Sequence, residues 1–144
     1  MNLINRILLA YWKSLLKEAD SYREKPFEVQ NSLFQSLIKG GAESKFGHEH
    51  DFSNIKDYED FRKKVPVRDY NALFPYINRL RLGEQYVLWN QKTPWYAKSS
   101  GTSADKSKFI PITPDNLKGC HYKGFQTLLA SYISTHTDSK LFYG

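Results

Sequence analysis

The chain has 144 residues, 40% hydrophobic and 15% aromatic, which is enough to bury a core and too apolar for a disordered tail. Its formal net charge of +6 is spread along the whole length without a basic block, which argues against nucleic-acid binding, where Lys and Arg gather on one element. The single cysteine, Cys120, excludes an internal disulfide and a zinc cluster and fits a reducing compartment, so the cytoplasm is expected. The apolar run from Ile7 to Trp12 stops at Lys13, too short for a signal-peptide core or a membrane span.

In the first 23 residues, Leu3, Ile4, Ile7, Leu8, Tyr11, Leu15 and Leu16 recur at three- and four-residue steps. That spacing predicts an amphipathic helix, packed on its own domain rather than on a membrane. Pro26 suits the first turn of a second helix, which carries Phe27, Leu33, Phe34, Leu37 and Ile38 inward and stops at Gly40 and Gly41. Residues 44–53 read as a polar, irregular loop. His48 and His50 within it lack further Cys, Asp or Glu at ligand spacing, so no metal site is assigned.

Asp57 to Lys64 reads as a short helix with Tyr58 and Phe61 inward, ended by Pro66. Asp69 caps a helical stretch over 70–82, where Pro75 forces either a kink or a break at Phe74 and Ile77 and Leu80 are buried. Gly83 closes this helical half. Tyr86 to Trp89, Trp95 to Ala97 and Phe109 to Ile112 are β-branched and aromatic runs and predict strands, with Pro111 at an edge or a strand end. Thr113 then serves as N-cap and Pro114 as first turn of a helix that buries Leu117, Cys120, Leu128, Tyr132 and Ile133. Residues 140–144 look like a strand just started. A strand entering a sheet needs neighbours, so the chain is expected to stop within a domain.

Between the second and third predicted strands lies Ser99-Ser100-Gly101-Thr102-Ser103-Ala104-Asp105-Lys106-Ser107-Lys108. Hydroxyl donors, backbone N–H groups turned into a nest and a lysine are what hold phosphate oxygens, and Gly101 lets the backbone approach without a Cβ in the way. Thr102 and Ser103 can donate, and Lys106 or Lys108 can reach back over them. The spacing matches neither the Walker pattern nor a dinucleotide fingerprint. Composition alone equally allows an exposed polar hairpin loop.

The order of residues is more specific. Ser-Ser-Gly-Thr-Ser-x-x-x-x-Lys followed by Phe-Ile-Pro-Ile-Thr resembles the plant auxin-responsive acyl-acid amido synthetases and their bacterial relatives, within the adenylate-forming superfamily. Upstream, Val65-Pro66-Val67-Arg68-Asp69-Tyr70 and Phe74-Pro75-Tyr76-Ile77-Asn78-Arg79 match the run that precedes the family's phosphate loop, and Gln30 also has a family counterpart. The similarity covers about residues 26 to 120. Ser99, Ser100, Gly101, Thr102, Ser103 and Lys108 correspond to the family's ATP phosphate-binding motif. Ala104 and Asp105 depart from it, standing where many members have glycines, and Lys106 offsets the acidic charge of Asp105.

The resemblance implies an α/β fold: a mainly helical segment over 1–83, then strands, phosphate loop and a following helix over 84–144 as the beginning of a large β-sheet domain, without the small C-terminal domain. It also implies ATP with Mg2+, a small carboxylic acid and an amino acid as reactants and adenylation followed by amide formation; these residues alone are expected to be catalytically inactive. Nucleic acid and membrane are not expected partners, and no catalytic residue is assigned. Two other readings stay open: an acyl-CoA ligase with a similar loop, and a non-enzymatic helical module whose basic, hydroxyl-rich hairpin binds phosphate-bearing surfaces.

Overall fold

The computed structural model describes residues 3–100 and 107–141. In chain order it contains helices α1 (Leu3–Glu24), α2 (Pro26–Gly41), α3 (Lys45–Glu49), α4 (Tyr58–Lys64) and α5 (Tyr70–Arg81), strands β1 (Trp95–Lys98) and β2 (Phe109–Ile112), and helices α6 (Pro114–Asn116) and α7 (Lys123–Thr135). A short 3-10 turn spans Phe52–Asn54, and a π-helical segment, Leu117–Tyr122, leads into α7. The fold is mostly helical with one two-stranded antiparallel sheet. The chain forms two compact units, Met1–Gln30 with Asp115–Gly144, and Asn31–Pro114.

In the first unit α1 and α7 pack along each other. Trp12, Ala130 and Ile133 are buried between them, with Leu8, Leu9, Leu15, Leu16 and Leu129 against this centre. Full burial of a side chain the size of Ile133 contributes roughly 1.5–3 kcal/mol. Polar contacts fix both ends of the antiparallel pair: Asn5 Nδ2 donates to the Ser139 carbonyl at 3.0 Å, and Lys123 Nζ donates to Glu18 Oε1 at 2.6 Å. The hydrogen bond from Lys123, then that from Tyr22, holds the Glu18 carboxyl below its ordinary range.

The packing faces differ from the sequence expectation. On α1 the packed line runs through Asn5, Leu8, Leu9, Trp12, Leu15 and Leu16, while Leu3, Ile7 and Tyr11 stay exposed. On the last helix Cys120, Leu128 and Tyr132 are exposed and Ala130 joins Ile133 inside. For Leu128 and Tyr132 the cause is the π-helical segment. A π turn holds more residues than an α turn, so a 3.6-residue phase counted from Leu117 has slipped before α7 begins. Lys140 and Leu141 are not in a strand, and the rest of that expected strand lies outside the described residues.

The second unit is centred on Ile38, Phe52 and Ile55, with Phe34, Ala42, Phe46, Phe61 and Val65 packed around them. Edge-on aromatic contacts, Phe34 with Phe61 at 5.8 Å and Phe46 with Phe52 at 6.0 Å, add direction to this burial. From α2 only the line Phe34, Ile38 and Gly41 faces it; Phe27, Leu33 and Leu37 remain exposed, as does Tyr58 on α4.

Residues 44–53, expected to be irregular, contain α3 because Ser44 is a good N-cap. Its Oγ accepts from the Gly47 N–H at 2.9 Å. The next two N–H groups, on Lys45 and Phe46, donate to the carbonyls of Tyr86 and Val87, each at 2.9 Å. Those carbonyls are therefore spent on a helix start rather than on a strand ladder, and Tyr86 adopts a φ of 59° that breaks an extended run. This is why 86–89 is not the expected strand, although Val87 is fully buried.

His50 is likewise not a solvated loop histidine. It is buried, stacks on Phe46 at 4.1 Å and lies 2.9 Å from Arg68 through Nε2. Arg68 also covers the rings of Phe46 and Tyr76. Among the described residues no group of three or more His, Cys, Asp or Glu could hold a metal ion.

Asp57 and Asp69 cap α4 and α5 by accepting from Asp60 N and Ala72 N. Despite Pro75, α5 is one continuous helix, with Ile77 and Leu80 buried as expected. It ends in two bonds characteristic of a Schellman motif, Gly83 N to the Leu80 carbonyl and Glu84 N to the Arg79 carbonyl, with Gly83 at a φ of 99°. That turn aims Glu84 back at the helix, where it accepts two hydrogen bonds from Arg79, both at 2.8 Å, and one from Lys45.

Two expectations follow. At Gly47 an added Cβ would collide with the Gly41 carbonyl oxygen and lie 2.8 Å from that of Ala42, both rigid backbone. Gly47→Ala therefore lowers stability by about 2 kcal/mol or more in denaturant unfolding. The hydrogen bonds from Arg79 and then Lys45 bring the Glu84 carboxyl down from 4.5 to about 2. A depressed carboxyl stabilises the fold above its unfolded value and loses that contribution as pH falls through its folded value. The melting temperature of Glu84→Gln is thus below that of the parent above pH 4.5, and the gap closes as pH falls toward 2.

Candidate functional site

The sheet is a hairpin in which Trp95 pairs with Ile112, Tyr96 with Pro111, Ala97 with Ile110 and Lys98 with Phe109. Beyond the last pair its base is closed by Ser99 and Lys108. Ser99 N donates to the Lys108 carbonyl at 3.0 Å, and Lys108 N donates to Ser99 Oγ at 3.1 Å. The hairpin therefore brings together the first and last residues of the expected phosphate loop. Ser100 is exposed, while Gly101, Thr102 and Ser103, with Ala104, Asp105 and Lys106, lie outside the described residues.

Alternation in an antiparallel ladder turns every second N–H outward. Counted from the bonded pair Ser99 and Lys108, the N–H of Phe109 and the ring nitrogen of Pro111 face away from β1. Pro111 thus costs the ladder no hydrogen bond. The Phe109 N–H finds a partner on another element: it donates to Tyr70 Oη at 2.9 Å.

Tyr70 and Arg81, near opposite ends of α5, both reach this hairpin. The Arg81 guanidinium lies 4.1 Å from the Phe109 ring centroid, and the exposed Lys108 ammonium lies 5.6 Å from that of Tyr70. Two cations thus flank the end of β2. Tyr96, on the neighbouring strand, has a buried hydroxyl with no hydrogen-bond partner among the described residues, and burial pushes its ionisation upward. Sequence reasoning named Ser99, Ser100 and Lys108 here and missed Tyr70, Arg81 and Tyr96. For Tyr70 a signal existed, since it closes the quoted run from Val65.

That run is the mount of the hairpin. Arg68 binds His50, Asp69 caps α5, Tyr70 holds Phe109, Tyr76 donates to Glu49 at 2.6 Å, and Arg79 holds Glu84.

A family model described as the GH3 family N-terminal domain matches residues 15–144. The chain belongs to the GH3 family. Among its GH3 relatives, the indole-3-acetic acid-amido synthetase GH3.15 of Arabidopsis thaliana is 28% identical over 113 residues, covering 77% of this chain and 18% of the relative. The indole-3-acetic acid-amido synthetase GH3.8 of Oryza sativa subsp. indica is 31% identical over 90 residues, 62% of this chain and 15% of the relative. The chain thus spans under a fifth of the length of the curated relatives it matches. A solved GH3.15 acyl acid amido synthetase superposes with a TM-score of 0.74 at 21% identity over 83% of this chain and 22% of that one. Another structure of that synthetase, in complex with 2,4-DB, superposes at 0.71 with 22% identity over 88% and 21%. The helices and hairpin described above therefore share the fold of the N-terminal part of that synthetase. Among the described residues no helix is long and apolar enough to cross a membrane.

Proposed function

We propose that this chain supplies the ATP-phosphate grip of an acyl acid amido synthetase, with Ser99, Ser100, Gly101, Thr102, Ser103 and Lys108 holding the triphosphate. The observation that carries the reading is the closed base at Ser99 and Lys108, which fixes both ends of a hydroxyl-rich segment in a chain of the GH3 family. Its relatives' names carry an acyl acid and an amido product, and the amino acid as the amine is what the family resemblance implies.

In the reaction proposed, a carboxylate oxygen bonds to the α-phosphorus of ATP while the bond from that phosphorus to the bridging oxygen breaks. Pyrophosphate leaves and an acyl-adenylate remains. The amine of an amino acid then attacks the acyl carbon, the bond to AMP breaks, and the nitrogen loses a proton to give the amide. The loop orients the triphosphate, and Lys108 offsets charge developing on the departing pyrophosphate. Mg2+ would accompany the nucleotide and would offset part of the charge on its phosphates. The cytoplasm, with its free nucleotide and reduced thiols, is the proposed location.

The reading is tested in a chimaera carrying these residues in place of the matched part of the GH3.15 synthetase. Acid-dependent exchange of labelled pyrophosphate into ATP is expected, together with amide rather than CoA thioester as product. Because Lys108 is exposed, Lys108→Ala leaves the melting temperature unchanged and lowers exchange by about 100-fold. Near-normal exchange in that variant overturns the assignment. The isolated chain is expected to give no turnover, and pyrophosphate release from it with acid and ATP overturns that part.

A further inference from the structure

We propose that Tyr70 is the positioning residue of Lys108, acting through two distinct parts of its side chain. The inference rests on the phosphate-loop reading above. The Tyr70 hydroxyl accepts the outward N–H of Phe109 at 2.9 Å and so fixes the backbone adjoining Lys108. The Tyr70 ring lies 5.6 Å from the Lys108 ammonium and gives it a resting place while no anion is bound.

The two contacts make different demands on the lysine. A cation over an aromatic face at an exposed site is weakly held, whereas an ammonium donating to phosphate oxygens makes a charge-assisted hydrogen bond. Phosphate therefore wins the competition and the ammonium leaves the ring. Meanwhile the backbone from which Lys108 projects is held by Ser99 on one side and by the Tyr70 hydroxyl, through Phe109, on the other. A long flexible side chain on a fixed root loses less freedom on binding than one on a mobile root. Tyr70 is half-buried and starts α5, whose far end places Arg81 on Phe109, so the root is set by a helix rather than by the loop itself. The ring and the hydroxyl are separable: phenylalanine keeps the first and removes the second, and leucine removes both.

The test is a titration of the 144-residue chain with inorganic triphosphate, followed by NMR of the Lys108 ε-methylene protons, which the Tyr70 ring shields. These protons are expected upfield in the free chain, to move downfield as triphosphate binds, and to start downfield in Tyr70→Leu. Tyr70→Phe keeps the upfield position in the free chain and binds triphosphate about fivefold more weakly, the scale of one lost hydrogen bond. Absence of triphosphate binding to the parent chain overturns the phosphate-loop reading and this inference with it. Binding in which the Lys108 protons stay still, or equal affinity in Tyr70→Phe, overturns this inference alone.

Discussion

The second unit depends on how the start of α3 is satisfied. A helix leaves its first N–H groups without partners, and here Lys45 and Phe46 take the carbonyls of Tyr86 and Val87 while Ser44 serves Gly47. That choice removes Tyr86 to Trp89 from any sheet and seats Val87 in the interior. It also brings Lys45 beside Glu84, which Arg79 already holds after the turn at Gly83. The result joins the segment before the hairpin to α3 and to the end of α5.

From there the path to the hairpin is short. α5 is capped by Asp69 and closed at Gly83, and its two ends carry Tyr70 and Arg81 to Phe109. Within the runs Val65 to Tyr70 and Phe74 to Arg79, several side chains hold other elements in place. Arg68 binds a buried histidine, Tyr76 binds Glu49, and Arg79 binds Glu84. The proposed triphosphate grip is held by a helix that is itself held at both ends.

Much of this was readable from the residues. Pro26, Asp57, Asp69 and Gly83 are local signals whose effect depends on neighbours in sequence, and the helices start and stop where those residues require. Ile77 and Leu80 follow from the period of one uninterrupted helix. The misreadings share a different origin. Leu128 and Tyr132 face inward only if one helical phase runs unbroken through Leu117–Tyr122, and the π-helical segment there, which no local residue announces, breaks it. Residues 86–89 have strand composition, but the carbonyls of Tyr86 and Val87 accept the first N–H groups of a helix some forty positions earlier, and such a pairing is invisible to a window of sequence. Ser44 is a readable cap, masked by the mostly polar composition of 44–53. At the candidate site the motif points to Ser99 and Lys108, while Tyr70 stands in the matched run without local sign of its contact with Phe109, 39 positions away.

The outer edge of β2 has a property of its own. An edge strand normally invites another by offering alternate donors and acceptors. Along β2 the two outward donor positions are Phe109, whose N–H is engaged by Tyr70, and Pro111, which has none. A strand approaching from that side would meet carbonyls without answering N–H groups. Growth of this ribbon is thereby steered to the β1 side, and the same tyrosine that anchors the loop root also decides on which flank the sheet can widen.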